Sequence, residues 1–233
     1  MKIKHLKEVD STNLYIKRYL DTGRDTIVTA DIQTGGMGTK GRSFSSQKGG
    51  VYLTALTFYR DFPASEAFRV MAHAAVAVCR TVEKFGAEPQ IKWANDVYIG
   101  RRKITGILIE NIFEGGNIRA SIVGIGVNVY NDLSALNGLA TSLLKETGKK
   151  FSLRRVRKEL IKNLQKGDTF SDYLSYVHFL GTTVRVTEGE REYLAIAEEI
   201  LPDGRLQVNE GGKTRILSAA EISLKLEEGD EVL

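Results

Sequence analysis

The chain has 233 residues, 42% of them apolar and 27% charged, which suits a folded domain with a small appendage and excludes disorder. Its single cysteine excludes an internal disulfide, no Cys/His cluster has zinc spacing, and there is no secretory signal; this pattern points to a cytoplasmic protein without a structural metal. A formal charge of +4 favours an anionic ligand, and because lysines and arginines run along the whole chain, nucleic-acid binding gains only a little.

In chain order, DSTNLYIKRYLDTG carries a capping residue (Asp10 or Ser11), apolar positions at Leu14, Ile16, Tyr19 and Leu20, and a stop at Gly23, which predicts a short helix. DTIVTADIQ (25–33) is β-branched and reads as a strand, followed by a glycine loop and a second strand, GGVYLTALTF (49–58). The stretch 65–86 predicts a long helix capped by Ser65 and closed by Gly86; its apolar stripe includes Cys79 and is interrupted at His73, so it is too short to span a bilayer. Strands follow near 89–93, 97–99, 103–112 and 118–129, with turns at Gly100 and at Gly115-Gly116-Asn117. A helix over 152–165 returns to the 3.6-residue period, with Ser152 as its cap. After His178 come five short strands with glycine turns, the pattern of a small β-barrel. The expected organisation is a mixed α/β domain over 1–177 and a barrel over 178–233, with no linker and no internal repeat.

QTGGMGTKGRSF (33–44) sets four glycines among two basic side chains. It matches the G-x-G-x-x-G spacing of dinucleotide-binding turns, but leads into a strand where that turn needs a helix N-terminus. A Walker A loop fails as well, since Gln207 stands where the first glycine should precede Gly212-Lys213-Thr214. A kinase flap would require His-Arg-Asp and Asp-Phe-Gly, and both are missing. What remains is a loop whose backbone N–H groups can converge on an anion, helped by Lys40 and Arg42, or else a solvated surface loop; its glycine content predicts that it is unordered before ligand arrives.

Further along, KWANDVYIGRRKITGILIE places Lys103 at the start of a strand beside a turn. Strict alternation puts Lys103, Thr105 and Ile107 on one face and Ile104, Gly106 and Leu108 on the other. Gly106, and the pair Gly124 and Gly126 around Ile125, mark backbone that something approaches closely. Asn128 offers a donor and an acceptor to a purine edge, and Asn95-Asp96 reads as a turn pair or as polar site groups.

In this order, Asp10-Ser11-Thr12-Asn13, the glycine loop with Gln33 and Arg42, Lys92-Trp93-Ala94-Asn95-Asp96, Lys103 to Glu110 and Gly124 to Val129 resemble the biotin protein ligases, over nearly the whole chain. SAAEISL (218–224) looks like the end of that family's C-terminal barrel. The resemblance implies an α+β fold: a mixed β-sheet flanked by helices, of the class II aminoacyl-tRNA synthetase type, with a small SH3-like β-barrel. It implies a ligase that uses ATP and Mg²⁺ to make biotinyl-5'-adenylate and passes the biotinyl group to a lysine of a biotin carboxyl carrier domain, an acetyl-CoA carboxylase subunit. On this resemblance Ser11, Thr12, Gln33, Gly36, Thr39, Gly106 and Gly124 belong to the biotin side. Lys40, Arg42, Phe44, Lys92, Asn95 and Asn128 belong to the nucleotide side. Lys103, with Arg42 and Asp96, belongs to the chemistry, and no side-chain cluster holds a metal. A homodimer through the sheet is the implied assembly. Because Asp10-Ser11-Thr12 begins almost at the first residue, a winged-helix domain and DNA repression are not expected.

The sequence departs from the family pattern where it has Met37 and Thr39 in place of loop arginines, Phe44 in place of tryptophan and Ala94 in place of proline. Each missing charged hydrogen bond weakens binding by about one to two decades, and Lys40 could restore part of it as a point charge. Competing readings are a lipoate-type ligase, an octanoyl transferase and a non-enzymatic binding module. The octanoyl transferase would need a reactive cysteine, whereas Cys79 lies in the apolar stripe. For the module, the barrel lacks a row of stacking aromatics.

Overall fold

The computed structural model describes residues 1–218 and 222–226, with the side chains of Lys40 and of 222–226 outside the description. Seven strands form the larger sheet: β1 (Lys2–Val9), β2 (Thr26–Gln33), β3 (Gly50–Phe58), β4 (Gln90–Lys92), β5 (Asp96–Ile99), β6 (Arg102–Glu114) and β7 (Asn117–Asn128). Their order is β1-β2-β3-β7-β6-β5-β4, with β1 parallel to β2 and every other pair antiparallel. Five α-helices accompany the sheet: α1 (Thr12–Ile16), α2 (Phe68–Lys84), α3 (Leu143–Thr147), α4 (Leu153–Asn163) and α5 (Phe170–Leu174).

One face of the sheet is filled and the other is left partly open. On the filled face, α2 presents Ala72, Ala75, Val78, Cys79 and Val82 to Leu53, Ile91, Ile104 and Ile125, and α4 adds Val156 and Leu160. The alanines let the α2 backbone sit close to the strands, and burial pushes the Cys79 thiol pKa upward, so it is an unreactive core group. On the opposite face, α1 covers only the cluster Ile16, Val28, Leu56, Ala120 and Ile122, leaving the glycine-rich stretch of β6 and β7 without a helix above it.

The second sheet is antiparallel, order β11-β10-β9-β8-β12, from β8 (Thr183–Glu188), β9 (Arg191–Ile200), β10 (Leu206–Glu210), β11 (Lys213–Leu217) and β12 (Ile222–Leu226). Its inward residues Val184, Val186, Ala195, Ala197, Leu206 and Val208 join the core that α2 begins. The turn before β10 is the joint. Trp93 Nε1 donates to Gly204 O at 2.8 Å, and the left-handed Gly204 (φ +86°) lies so near the Phe68 ring that no Cβ would fit.

The α+β class read from the sequence holds, and so do the meander strands to within a few residues. β1 escapes sequence reading: KIKHLKEV carries four charges and no run of apolar residues, as suits an edge strand with water on one side. The helix expected over 10–23 is α-helical only through Ile16, continues as a 3-10 turn and closes at Gly23 (φ +60°). Ser65 is not a cap, because 64–66 form a separate 3-10 turn and α2 starts after Ala67 without a side-chain cap. The SAAEISL segment falls partly on 219–221, which lie outside the described residues. No helix among the described residues is long and apolar enough to cross a membrane.

If the Trp93 to Gly204 bond joins the sheets, Trp93→Phe should cost about 2 kcal/mol and lower Tm by about 4–8 °C. A thermal melt that leaves Tm unchanged would assign no weight to that bond.

Candidate active site

The open face carries a cleft over β6 and β7. Its floor is glycine. Gly106 and Gly126 pair directly across the two strands, and Gly124 follows two residues along, opposite Leu108. A Cβ on Gly126 would lie 2.4 Å from Phe44 Cε1, and one on Gly124 would lie 2.2 Å from Asn13 Oδ1, so neither position tolerates a side chain with its neighbours in place.

Lys103 reaches this floor through a break in the ladder. Along β5 and β6, Val97 pairs with Thr105 but Tyr98 pairs with Lys103, which leaves Ile104 as an extra residue. The irregularity resets the alternation: Ile104 and Ile107 both enter the core, while Lys103 and Gly106 share the cleft. The strict alternation expected from sequence is therefore corrected, and a Cβ on Gly106 would lie 3.5 Å from Lys103 Cε. Lys103 is also pinned from outside the sheet, since its N–H donates to Leu139 O and its carbonyl accepts from Thr141 N–H. Its ammonium donates to Asp96 Oδ1 at 2.5 Å. Asn95, beside it, donates through Nδ2 to Ile107 O.

Near Gly124 the wall becomes a polar knot. Thr12 donates from both its N–H and its hydroxyl to Gln33 Oε1 (2.8 Å each), and Gln33 Nε2 donates to Ser46 Oγ at 2.8 Å. The Thr54 hydroxyl donates to Asn13 Oδ1 at 2.6 Å, and Asn13 Nδ2 faces Glu110, which Lys17 holds at 2.5 Å. Ser11 caps α1 by accepting from Leu14 N–H, which turns Thr12 and Asn13 toward the sheet.

The glycine loop closes on itself through backbone bonds. Gly38 N–H donates to Arg42 O and Phe44 N–H donates to Gly36 O, making a small hairpin that carries Met37, Gly38, Thr39 and Phe44 over the cleft. Phe44 drops its ring into the trough above Gly106 and Gly126.

Of the residues singled out from sequence, Ser11, Thr12, Gln33, Thr39 and Phe44 line the cleft, as do Asn95, Asp96, Lys103, Gly106 and Gly124. Gly36 does not: a Cβ there would strike Phe44 O and Ser46 Oγ, so this glycine serves loop closure. Asn128 is buried and its Oδ1 accepts from Asn131 Nδ2, a local turn bond rather than a cleft wall. Arg42 and Lys92 stand outside the wall, around Tyr98. The Lys92 ammonium is 5.3 Å from the Tyr98 ring, and the phenol pKa is pushed up to about 12, chiefly by burial, with Asp96 adding and Arg42 opposing. Lys40 has its backbone in the hairpin, and its side chain lies outside the description. Met37 and Gly126, noted from the sequence as a missing arginine and a close-approach glycine, also line the cleft, and Asn13, Gly38 and Leu108 are cleft residues that sequence reasoning leaves without a role. Asn13, Leu108 and Gly126 all sit inside recognised motifs, but Leu108 carries no chemical signal beyond strand alternation. No group of three or more His, Cys, Asp or Glu among the described residues could hold a metal.

Residues 6–128 match the Biotin/lipoate A/B protein ligase family. The chain belongs to this family. Within the ligase family it is 33% identical to the bifunctional ligase/repressor BirA of Bacillus subtilis, over 83% of this chain and 65% of that one. It thus spans just under two thirds of that relative, and 47% of the Bacillus spizizenii protein. It is 26% identical to the biotin–[acetyl-CoA-carboxylase] ligase of Mycobacterium tuberculosis, over 92% of this chain and 86% of that one. Among solved structures, the biotin protein ligase of Aquifex aeolicus in complex with biotin and ATP superposes with TM-score 0.78 at 25% identity, covering 97% of this chain and 99% of that one. The Leishmania major ligase with biotinyl-5-AMP has TM-score 0.64 at 24% identity, covering 94% and 99%, and supports the fold.

The Gly124 and Asn13 packing gives a direct test. Gly124→Ala should destabilise the fold, and the loss should shrink when Asn13→Ala removes the clashing amide, giving a coupling of about 0.5–3 kcal/mol in a denaturation double-mutant cycle. Strictly additive effects would mean that the two side chains do not meet.

Proposed function

We propose that the chain is an ATP-dependent biotin ligase. The observation that carries this reading is the placement of the Lys103 ammonium over a glycine floor whose other end is the polar knot of Thr12, Gln33, Asn13 and Thr54. Successive cleft positions on a strand are about 7 Å apart. A ligand lying along β7 would therefore put a small polar head with N–H and C=O groups into the knot and a carboxylate near Lys103, the layout of biotin. The names of the relatives and the bound ligands of the Aquifex structure point the same way.

In the first step a carboxylate oxygen of biotin attacks the α-phosphorus of ATP; the P–O bond to the β-phosphate breaks and pyrophosphate leaves. The reactants are both anions, and Lys103 exchanges Asp96 for them, neutralising the charge that builds toward the leaving group. Arg42 and Lys92 form a cationic rim beyond Asp96 for the phosphates. In the second step the amine of a carrier-domain lysine attacks the mixed anhydride; the amide forms, AMP departs and the amine loses its proton to solvent or to Asp96. Asp96 is held by Lys103 and no acidic cluster accompanies it among the described residues, so Mg²⁺ does not fit a side-chain cage and would enter only with the nucleotide phosphates. A catalytic domain over 1–177 with a barrel over 178–233, a cytoplasmic setting and a homodimer through the sheet complete the reading.

Lys103→Met should slow biotin-dependent pyrophosphate exchange by about 10²–10³-fold while the protein still folds. An unchanged rate, or exchange that answers to lipoate and not to biotin, would reject the proposal.

Met37 and Thr39 face the cleft without a positive charge. Thr39→Arg should therefore slow release of biotinyl-adenylate by about one to two decades and suppress labelling of an unrelated lysine-rich protein. If the unaltered chain labels no bystander, its loop already retains the intermediate.

A further inference from the structure

The even spread of cations along the chain breaks down between 145 and 166. There nine lysines and arginines meet two acids, so this segment is +7 while the remaining 211 residues are net −3. The segment comprises most of α3, all of α4 and their flanks. α4 buries Val156, Leu160 and Asn163 against α2 and β3, on the face of the sheet opposite the cleft, and so turns Arg154, Arg155, Lys158 and Lys162 outward. Arg154, Lys158 and Lys162 recur at i, i+4 and i+8, one stripe about 12 Å long. Lys149 and Lys150 extend it, with the Lys150 ammonium 4.5 Å from the Tyr130 ring.

The stripe is not spent on internal ion pairs. Lys162 meets Glu159 at 3.5 Å and Arg157 turns aside to His5 Nδ1 at 2.9 Å. Among the described residues, Arg154, Arg155 and Lys158 have no carboxylate within ion-pair distance. Like charges spaced this closely on one helix repel and lower its stability. No large apolar side chain is exposed between 145 and 166, so the surface lacks the aromatic or aliphatic anchors on which a protein interface depends. A polyanion recognised by charge alone fits it: phosphate-backbone binding needs cations and no apolar anchor.

We propose that the outer face of α4 with Lys149 and Lys150 binds the phosphate backbone of nucleic acid, without base readout and independently of the cleft. The test is fluorescence anisotropy of the full chain with a short labelled duplex DNA, and with single-stranded DNA and RNA, across a salt series. Binding should weaken steeply with salt. Arg154→Gln/Arg155→Gln/Lys158→Gln should flatten the slope of log K against log salt by about 2.7 on duplex DNA, about 0.9 for each phosphate that is no longer neutralised. Pyrophosphate exchange should be unaltered in that variant, because α4 lies away from the cleft. Should the triple variant fail to fold, Arg155→Gln alone should flatten the slope by about 0.9. The proposal is overturned by no binding to any of the three nucleic acids at low salt, or by a slope that the substitutions leave unchanged. It is equally overturned if anionic vesicles or an acidic carrier domain bind through these residues and nucleic acid does not.

Discussion

The cleft depends on one extra residue in β6. In an unbroken strand, residues three apart point to opposite faces, so Lys103 and Gly106 could not serve the same site. Ile104, unpaired against β5, absorbs the mismatch by pointing into the core while Lys103 stays with the glycines. Burial of Ile104 under α2 holds the irregularity in place, and the two backbone bonds to Leu139 and Thr141 fix it from the other side. Lys103 is thus positioned by hydrophobic packing on the far face of the sheet.

Glycines then define how deep the site is. Each one inside a strand weakens that strand by roughly 0.5–1 kcal/mol, and here three occur on two neighbouring strands. What they provide is a trough one side chain deep, in which the Phe44 ring and the Asn13 amide already rest. The loop that delivers Phe44 closes by its own backbone bonds, and Gly36 is needed for that closure. Conformational freedom and close approach, both properties of glycine, are therefore used at different positions of the same motif.

The sheet separates two kinds of surface. Its glycine face gathers the polar knot, the Asp96 to Lys103 pair and the cationic rim around Tyr98. Its other face is sealed by α2 and α4, and the outward side of α4 meets water, carrying Arg154, Arg155, Lys158 and Lys162. This arrangement places two groups of cations on opposite sides of the sheet.

The sequence by itself determined the elements with strong periodicity and the identity of the site motifs. Residues such as Thr12, Gln33, Lys103 and Gly124 stand out because polar groups beside glycines in strands have few structural uses. Helix α2 stands out because its apolar stripe is wide. It did not reveal β1, whose charges mask an edge strand, nor the short helices α3 and α5, which tertiary packing supports despite their length. Only the tertiary structure shows that the Asn128 amide bonds Asn131 and that Gly36 packs against Phe44 and Ser46, that Met37 and Leu108 line the cleft, and that Lys103 shares a face with Gly106. The reason is physical: alternation and spacing are local rules, whereas an unpaired residue between two strands is settled by which side chain the core across the sheet can bury.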